Sequence, residues 1–161
     1  MNRWAIVGGV AMLAFAAGSS VLAQDAAPPT PEEQARNAIE LRQGLFKLMG
    51  WNMAPLGGML RNKIPFDAAV VQKSAERMES LSLMIPDVFQ ADTRPFKGVK
   101  TGALEGIWAS KSEFNGKATE MNKAATALIA AAKTGDKAAT LKAAGALGKS
   151  CGSCHDTFRQ K

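Results

Sequence analysis

The sequence predicts an all-α protein built from four helical stretches. Apolar residues recur at helical spacing in four segments, and turn residues separate these segments from one another. β-Branched residues are few, and no segment alternates apolar and polar residues as a strand would. No repeat of fixed period occurs.

The first helix is predicted from the capping signals at its start. Thr30 is followed by Pro31 and by Glu33, which together form a capping box with proline at the first helical position. The helical pattern then continues to about Leu60. Pro55 lies inside this pattern and is expected to kink or break the helix, because proline removes one hydrogen bond and clashes with the preceding turn.

Turn signals separate the remaining three helices. A turn over 62–65 precedes a second helix, which is predicted over 67–81. Residues 84–101 contain two prolines and a glycine and are expected to be irregular. A third helix is predicted over about 103–132 and a fourth over 137–159.

The first 23 residues are typical of a cleaved signal peptide. A short basic start at Met1–Arg3 precedes the largely apolar segment Trp4–Val21, and Val21–Ala23 fits a small-x-small cleavage site. The alternative is a membrane anchor, but glycines and serines dilute the apolar segment and no basic cluster follows it. We therefore expect export to the periplasm without stable membrane insertion. Residues 24–161 are then expected to form one domain.

The basic character of the chain does not indicate a nucleic-acid partner. The formal net charge is +6, but the Lys and Arg residues are scattered, without a basic run interleaved with aromatic residues. We expect most of these charges to lie on solvated helix faces, and no nucleic acid to bind.

Five residues near the C-terminus carry the strongest functional signal. Cys151-Gly152-Ser153-Cys154-His155 has the C-x-x-C-H pattern of a c-type haem attachment site. On a helix, both thiols and the imidazole lie on one face, so that two thioethers can hold one porphyrin while the imidazole lies under the iron. A zinc site would need four ligands, whereas the chain has only these two Cys and one His. A thioredoxin-like pair should follow a strand, and a disulfide between i and i+3 on a helix is awkward. The sequence therefore predicts one covalent haem, with His155 as the metal ligand.

An arginine interrupts the apolar face of the first helix. Arg42 shares this face with Ile39, Phe46, Met49 and Met53. A charge in such a position needs an anion, which a haem propionate would supply. The other interpretation is an arginine that snorkels to water at the rim of the bundle, and spacing alone does not decide between the two.

At the level of motifs, the chain resembles the cytochrome c′ family. The resemblance covers nearly all of residues 24–161 and is carried by segments 41–49, 63–69, 106–108 and 148–159. It implies an antiparallel four-helix bundle with one covalently bound haem c, usually a homodimer. The family often has tyrosine where Phe158 stands, and this chain has no tyrosine.

The resemblance also implies roles for individual residues. Cys151 and Cys154 correspond to the residues that carry the porphyrin. Arg42 and Gln43 match positions that contact a propionate. Arg159 matches a basic residue beside the proximal imidazole of His155.

Phe46 matches the residue that covers the open distal face of the iron, and it therefore bears most directly on function. Phenylalanine cannot ligate iron, and the chain has no second His. We expect a five-coordinate, high-spin iron that binds nitric oxide or carbon monoxide and is redox-active. The alternative is a six-coordinate electron-transfer cytochrome, ligated by Met49 or Met53 and served by redox partner proteins. An enzyme is disfavoured because no His remains for distal acid–base chemistry.

The oligomeric state is not determined by the residues themselves. One side of the first helix carries four leucines, and it is as consistent with an intramolecular core as with a dimer interface: Leu41, Leu45, Leu48 and Leu56. A homodimer is expected from the resemblance alone.

Overall fold

The computed structural model describes residues 27–161, so the expected signal peptide at 1–23 lies outside the described residues. Over the described range the chain is helical, and its only β feature is an isolated bridge between Ala103 and Arg159. The helices are α1 (Pro31–Leu60), α2 (Ala68–Leu83), α3 (Ile85–Val88), α4 (Gly106–Ala109), α5 (Lys111–Lys133) and α6 (Lys137–Phe158). The predicted all-α fold is confirmed.

The four long helices α1, α2, α5 and α6 form the bundle, and the two short helices lie in the connection between α2 and α5. α5 packs against both α2 and α6, and α1 packs more lightly against α2 and α6. The more loosely packed side of α1 leaves room for a cavity that faces α6. None of the described helices is both long and apolar enough to cross a bilayer.

The start of α1 is capped as the sequence predicts. The Thr30 hydroxyl accepts a bond from the Glu33 amide at 3.3 Å, and the Glu33 carboxylate accepts one from the Thr30 amide at 2.7 Å. Pro55 was expected to kink or break the helix, and the break does not occur, because α1 continues through it to Leu60. Beyond the proline, Leu56 and Met59 are buried in the core. Burying these side chains offsets the one lost hydrogen bond and holds the last turn.

The predicted third helix begins later than expected. Residues from about 103 pair with the end of the chain, because the Leu104 amide donates to the Phe158 carbonyl at 3.0 Å and the Gln160 amide donates to Gly102 at 2.8 Å. α4 follows, and Ser110 adopts non-helical dihedral angles before α5 begins at Lys111. A tertiary contact therefore overrides the local helical pattern. A second correction concerns 84–101, which was expected to be irregular but contains the single turn of α3.

Candidate haem site

A cavity of about 660 Å³ opens between α1, α5 and α6. Its volume lies in the range of about 300–1,000 Å³ that is usual for ligand and cofactor pockets. All of the residues that the sequence singled out for the haem line this one cavity: Arg42, Gln43, Phe46, Met49, Met53, Cys151, Cys154, His155 and Arg159.

The C-x-x-C-H motif lies near the end of α6, three residues before the helix ends at Phe158. This helix is capped at its start by the Asp136 carboxylate, which accepts bonds from two backbone amides at 2.8 and 3.0 Å. Cys151 and Cys154 are half-buried, and burial raises the pKa of both thiols. Burial also lowers the pKa of His155, with a further lowering by Arg159, so the imidazole is kept in the neutral form that binds metals.

These residues fit a covalent haem. Two thiols and one imidazole come from one helix face and border a cavity whose other walls are largely apolar. Within residues 27–161, no group of three or more His, Cys, Asp or Glu side chains is placed to hold a bare metal ion. The donor set therefore suits a macrocycle that brings its own ring nitrogens, and it does not suit zinc.

Phe46 lies across the cavity from His155. The centroids of the two rings are 6.5 Å apart, and the rings meet edge to face at 72°. Phe46 is 36% exposed and lines the cavity. Its inner side packs on Phe89, with ring centroids 6.1 Å apart. The structure thus brings together the two side chains that were expected on opposite faces of the haem.

Four methionines line the cavity, of which sequence reasoning had identified two. Met49 and Met53 come from α1, as the shared helix face predicted. Met78 of α2 and Met121 of α5 join them. Only the packing of α2 and α5 reveals these two, because methionine is a common core residue and its spacing carries no specific signal.

Arg42 is buried, with 3% of its surface exposed, so it does not snorkel to water. Its Nε donates to the Val88 carbonyl at 2.8 Å, its Nη1 to the Thr93 hydroxyl at 2.8 Å, and its Nη2 to the Ala91 carbonyl. Burial lowers the pKa of Arg42, and Asp92 partly counters this effect. Among residues 27–161, no carboxylate forms an ion pair with the guanidinium.

The remaining polar residues make the cavity electropositive. Over the described part of the chain, its lining includes four permanent cations and no Asp or Glu; the cations are Arg42, Lys47, Lys117 and Arg159. Gln43 and Arg159 are exposed at the cavity edge, and the Arg159 amide donates to the His155 carbonyl at 3.2 Å. Sequence reasoning missed Lys47 and Lys117. Lys47 could have been found from its position one turn beyond Gln43, whereas Lys117 depends on the packing of α5 against α6.

Comparison with known proteins agrees with this geometry. The family model described as Cytochrome C' matches residues 37–159. Cytochrome c-554 from Cereibacter sphaeroides is 38% identical over 141 residues, which cover 87% of this chain and 88% of that protein.

Solved structures show the same architecture. Cytochrome c prime from Shewanella frigidimarina superposes with a TM-score of 0.73 at 37% identity, covering 80% of this chain and 98% of that one. A nitric oxide complex of a mutant cytochrome c prime from Alcaligenes xylosoxidans gives a TM-score of 0.69 at 28% identity, with 79% and 97% coverage. The family match, the four-helix bundle and the thiol–imidazole face of α6 lead to one conclusion: this chain belongs to the cytochrome c′ family and binds one covalent haem c.

Proposed function

We propose that this chain is an exported haem protein whose five-coordinate iron binds the diatomic gases nitric oxide and carbon monoxide. The observation that carries the proposal is the phenylalanine opposite the only histidine, 6.5 Å away between ring centroids. With haem held by His155, Phe46 would face the open side of the iron, and it has no donor atom that could serve as a sixth ligand. The nitric oxide complex of the mutant Alcaligenes cytochrome c prime is in keeping with this function.

On the proximal side, α6 supplies the attachment and the iron ligand. Cys151 and Cys154 would form the two thioethers, and His155 would bind the iron through its neutral imidazole. Arg159 lies beside this imidazole, and its amide bonds the His155 carbonyl at 3.2 Å. When bound, the haem supplies an iron centre that changes oxidation state and binds gases.

At the edge of the cavity, Arg42 and Gln43 would hold a propionate. Arg42 has five N–H donors, and the described hydrogen bonds occupy three of them, all with neutral acceptors. A buried cation without a carboxylate partner favours an anion nearby. Gln43, the next residue along α1, lies exposed at the same edge.

On the distal side, Phe46 would act by its size. Its ring offers no hydrogen-bond donor, so it cannot stabilise a bound anion, and a polar ligand would lose its hydration without compensation. Small uncharged gases do not carry this penalty. No histidine is left for acid–base chemistry at this face, and we therefore propose binding and not catalysis.

The second candidate function is electron transfer through a six-coordinate, methionine-ligated iron, with redox partner proteins. Four methionines line the cavity, and Met49 and Met53 lie on the same helix as Phe46. Thioether ligation raises the reduction potential and gives a low-spin iron. This candidate and gas binding predict different spectra.

Optical spectra of the purified haem protein test the proposal. A high-spin ferrous spectrum that changes on addition of carbon monoxide would support the open site. A sharp low-spin ferrous spectrum that carbon monoxide does not alter would refute gas binding and leave electron transfer. Cleavage of the signal peptide 1–23 is tested separately, by mass spectrometry of the mature protein from the periplasm.

We also propose a homodimer, in which α1 and α2 supply the interface. The leucine side of α1 divides in the structure, because Leu45 and Leu56 are buried while Leu41 and Leu48 are 61% and 53% exposed. Trp51 continues this exposed stripe at 62%, and Leu83 at the end of α2 is 64% exposed. Such a set of large apolar side chains on neighbouring helices is typical of a protein interface.

A further inference from the structure

We propose that Arg42 is a positioning residue for the distal side chain Phe46, acting through the segment 88–93. This inference rests on the proposed function, in which Phe46 screens the iron from small gases. It adds a second role to the buried guanidinium, beside any contact with a propionate. Three contacts connect the two residues. The Arg42 guanidinium bonds the loop, the loop holds the Phe89 ring, and the Phe89 ring packs against Phe46.

The first link is the set of hydrogen bonds from Arg42 to the loop. Two of its acceptors, the carbonyls of Val88 and Ala91, lie on either side of Phe89 in sequence. The third is the hydroxyl of Thr93, at 2.8 Å, in a side chain that is itself buried. One planar donor group therefore fixes three points within six residues, and Arg presents these donors in a rigid fork.

The second link is the ring of Phe89. The Arg42 guanidinium lies over this ring, 4.7 Å from its centroid. Phe114 packs on it edge to face with centroids 4.8 Å apart, and the Trp108 indole N–H donates to the Phe89 carbonyl at 3.2 Å. Phe89 is 5% exposed, so it is held from several sides and has little space to move.

The third link is the contact between Phe89 and Phe46, with centroids 6.1 Å apart. Phe46 lines the cavity and packs against Phe89, while the His155 ring lies 6.5 Å away between centroids. If the segment 88–93 loosens, Phe89 shifts and Phe46 gains freedom to swing away from the iron. We call the three hydrogen bonds from Arg42 to the segment 88–93 the clamp. Loosening the clamp should therefore speed gas entry even though no residue at the iron changes.

Flash photolysis of carbon monoxide from the ferrous haem protein tests this inference. Thr93→Val removes one acceptor of the clamp and keeps the side-chain shape. We expect carbon monoxide association to be at least about twofold faster, and the upper bound is the factor of roughly 10–150 that one hydrogen bond from a charged donor contributes to an equilibrium constant. Thr93→Ser keeps the hydroxyl, and its carbon monoxide association rate should equal that of the wild type. The matched control is Thr126→Val, the same chemical change at an exposed bond to Glu79 on the far side of α5.

Two further variants separate the possible failures. Phe46→Ala should speed association by itself, and adding Thr93→Val to it should change nothing more, because the clamp acts through Phe46. If Phe46→Ala is fast and Thr93→Val equals the wild type, the clamp is refuted and the proposed function stands. If Phe46→Ala has no effect, the distal role of Phe46 fails and the clamp fails with it.

Trp108→Phe provides a second route to the same result if Thr93→Val does not fold. It removes the indole bond to the Phe89 carbonyl and keeps an aromatic ring beside the Arg42 guanidinium, which lies 5.2 Å from the Trp108 ring centroid. We expect a faster association rate here as well, with unchanged absorption of the ferrous protein before photolysis. An unchanged rate in a folded Trp108→Phe protein, or an equal acceleration in Thr126→Val, would overturn the inference.

Discussion

Replacing Arg42 with leucine should destabilise the protein strongly, because the guanidinium supports a whole loop. The change removes three hydrogen bonds from a charged donor, each worth about 1.5–3 kcal/mol in general. The gross loss is thus about 4.5–9 kcal/mol. Two terms oppose it: the buried charge no longer has to be desolvated, and the carbonyls of Val88 and Ala91 are only part-buried and can bond water. We expect a net loss of about 3–5 kcal/mol, because these two terms offset part of the gross loss.

Urea unfolding of the haem protein, followed by helical circular dichroism, measures this loss. A domain of this size should also unfold on the order of 10–20 °C lower. Arg94→Leu is the control, because it removes an exposed ion pair with Asp92 in the same loop and should leave the urea midpoint close to that of the wild type. The haem midpoint potential should fall in Arg42→Leu, since a cation near the iron disfavours the ferric state. A loss below about 1 kcal/mol with an unchanged urea slope would refute the assignment of Arg42 as the support of the loop.

Other changes test attachment, ligation, assembly and capping. Replacing Cys151 and Cys154 together with Ser should let acidified acetone extract the haem, whereas either single change should leave one thioether. Phe46→Met should convert the ferrous spectrum toward six-coordinate low spin and slow carbon monoxide binding. Leu48→Glu should shift light scattering from dimer to monomer at equal concentration, because it places charges within the exposed apolar stripe. The capping bonds lower the pKa of the Glu33 carboxyl. Their contribution to stability is therefore present above the ordinary carboxylate pKa and is lost as the pH falls through the lowered pKa. Glu33→Gln should remove this pH dependence of stability.

Each of these predictions would be contradicted by a specific result. Haem retained by the double cysteine variant under denaturation would exclude thioether attachment. A high-spin Phe46→Met protein would show that residue 46 does not face the iron. A wild-type protein that is monomeric in solution would contradict the proposed homodimer. Leu45→Ala, at a buried position, is the control for general destabilisation. Glu33→Gln with an unchanged acid unfolding profile would show that the capping box contributes nothing in solution.

The sequence predicts those features that depend on neighbouring residues. The capping box at Thr30 needs only three residues of spacing, and its two bonds form as expected. The C-x-x-C-H motif is equally local, because one helical turn brings Cys151, Cys154 and His155 to one face. The face shared by Arg42 and Phe46 also follows from helical periodicity, and both line the predicted cavity.

Features that depend on residues distant in the sequence could not be predicted from local sequence patterns. The late start of α5 follows from bonds between residues 102–104 and the chain end, more than fifty residues away in sequence. The continuous helix through Pro55 depends on a core that other helices complete. The acceptors of Arg42 lie 46 to 51 residues beyond it, so spacing on α1 could indicate a need for partners but not their identity.

The pairing of the chain end with residues 102–104 has a consequence for the turn that carries His155. The last turn of a helix ordinarily frays, and its amides exchange with solvent quickly. Here the Gln160 amide donates to Gly102 at 2.8 Å and the Phe158 carbonyl accepts from Leu104 at 3.0 Å, so the strand-like pair closes over the terminus. The imidazole is thereby mounted on a helix end that cannot unwind independently of the core. Hydrogen exchange at the Gln160 amide should accordingly be slow.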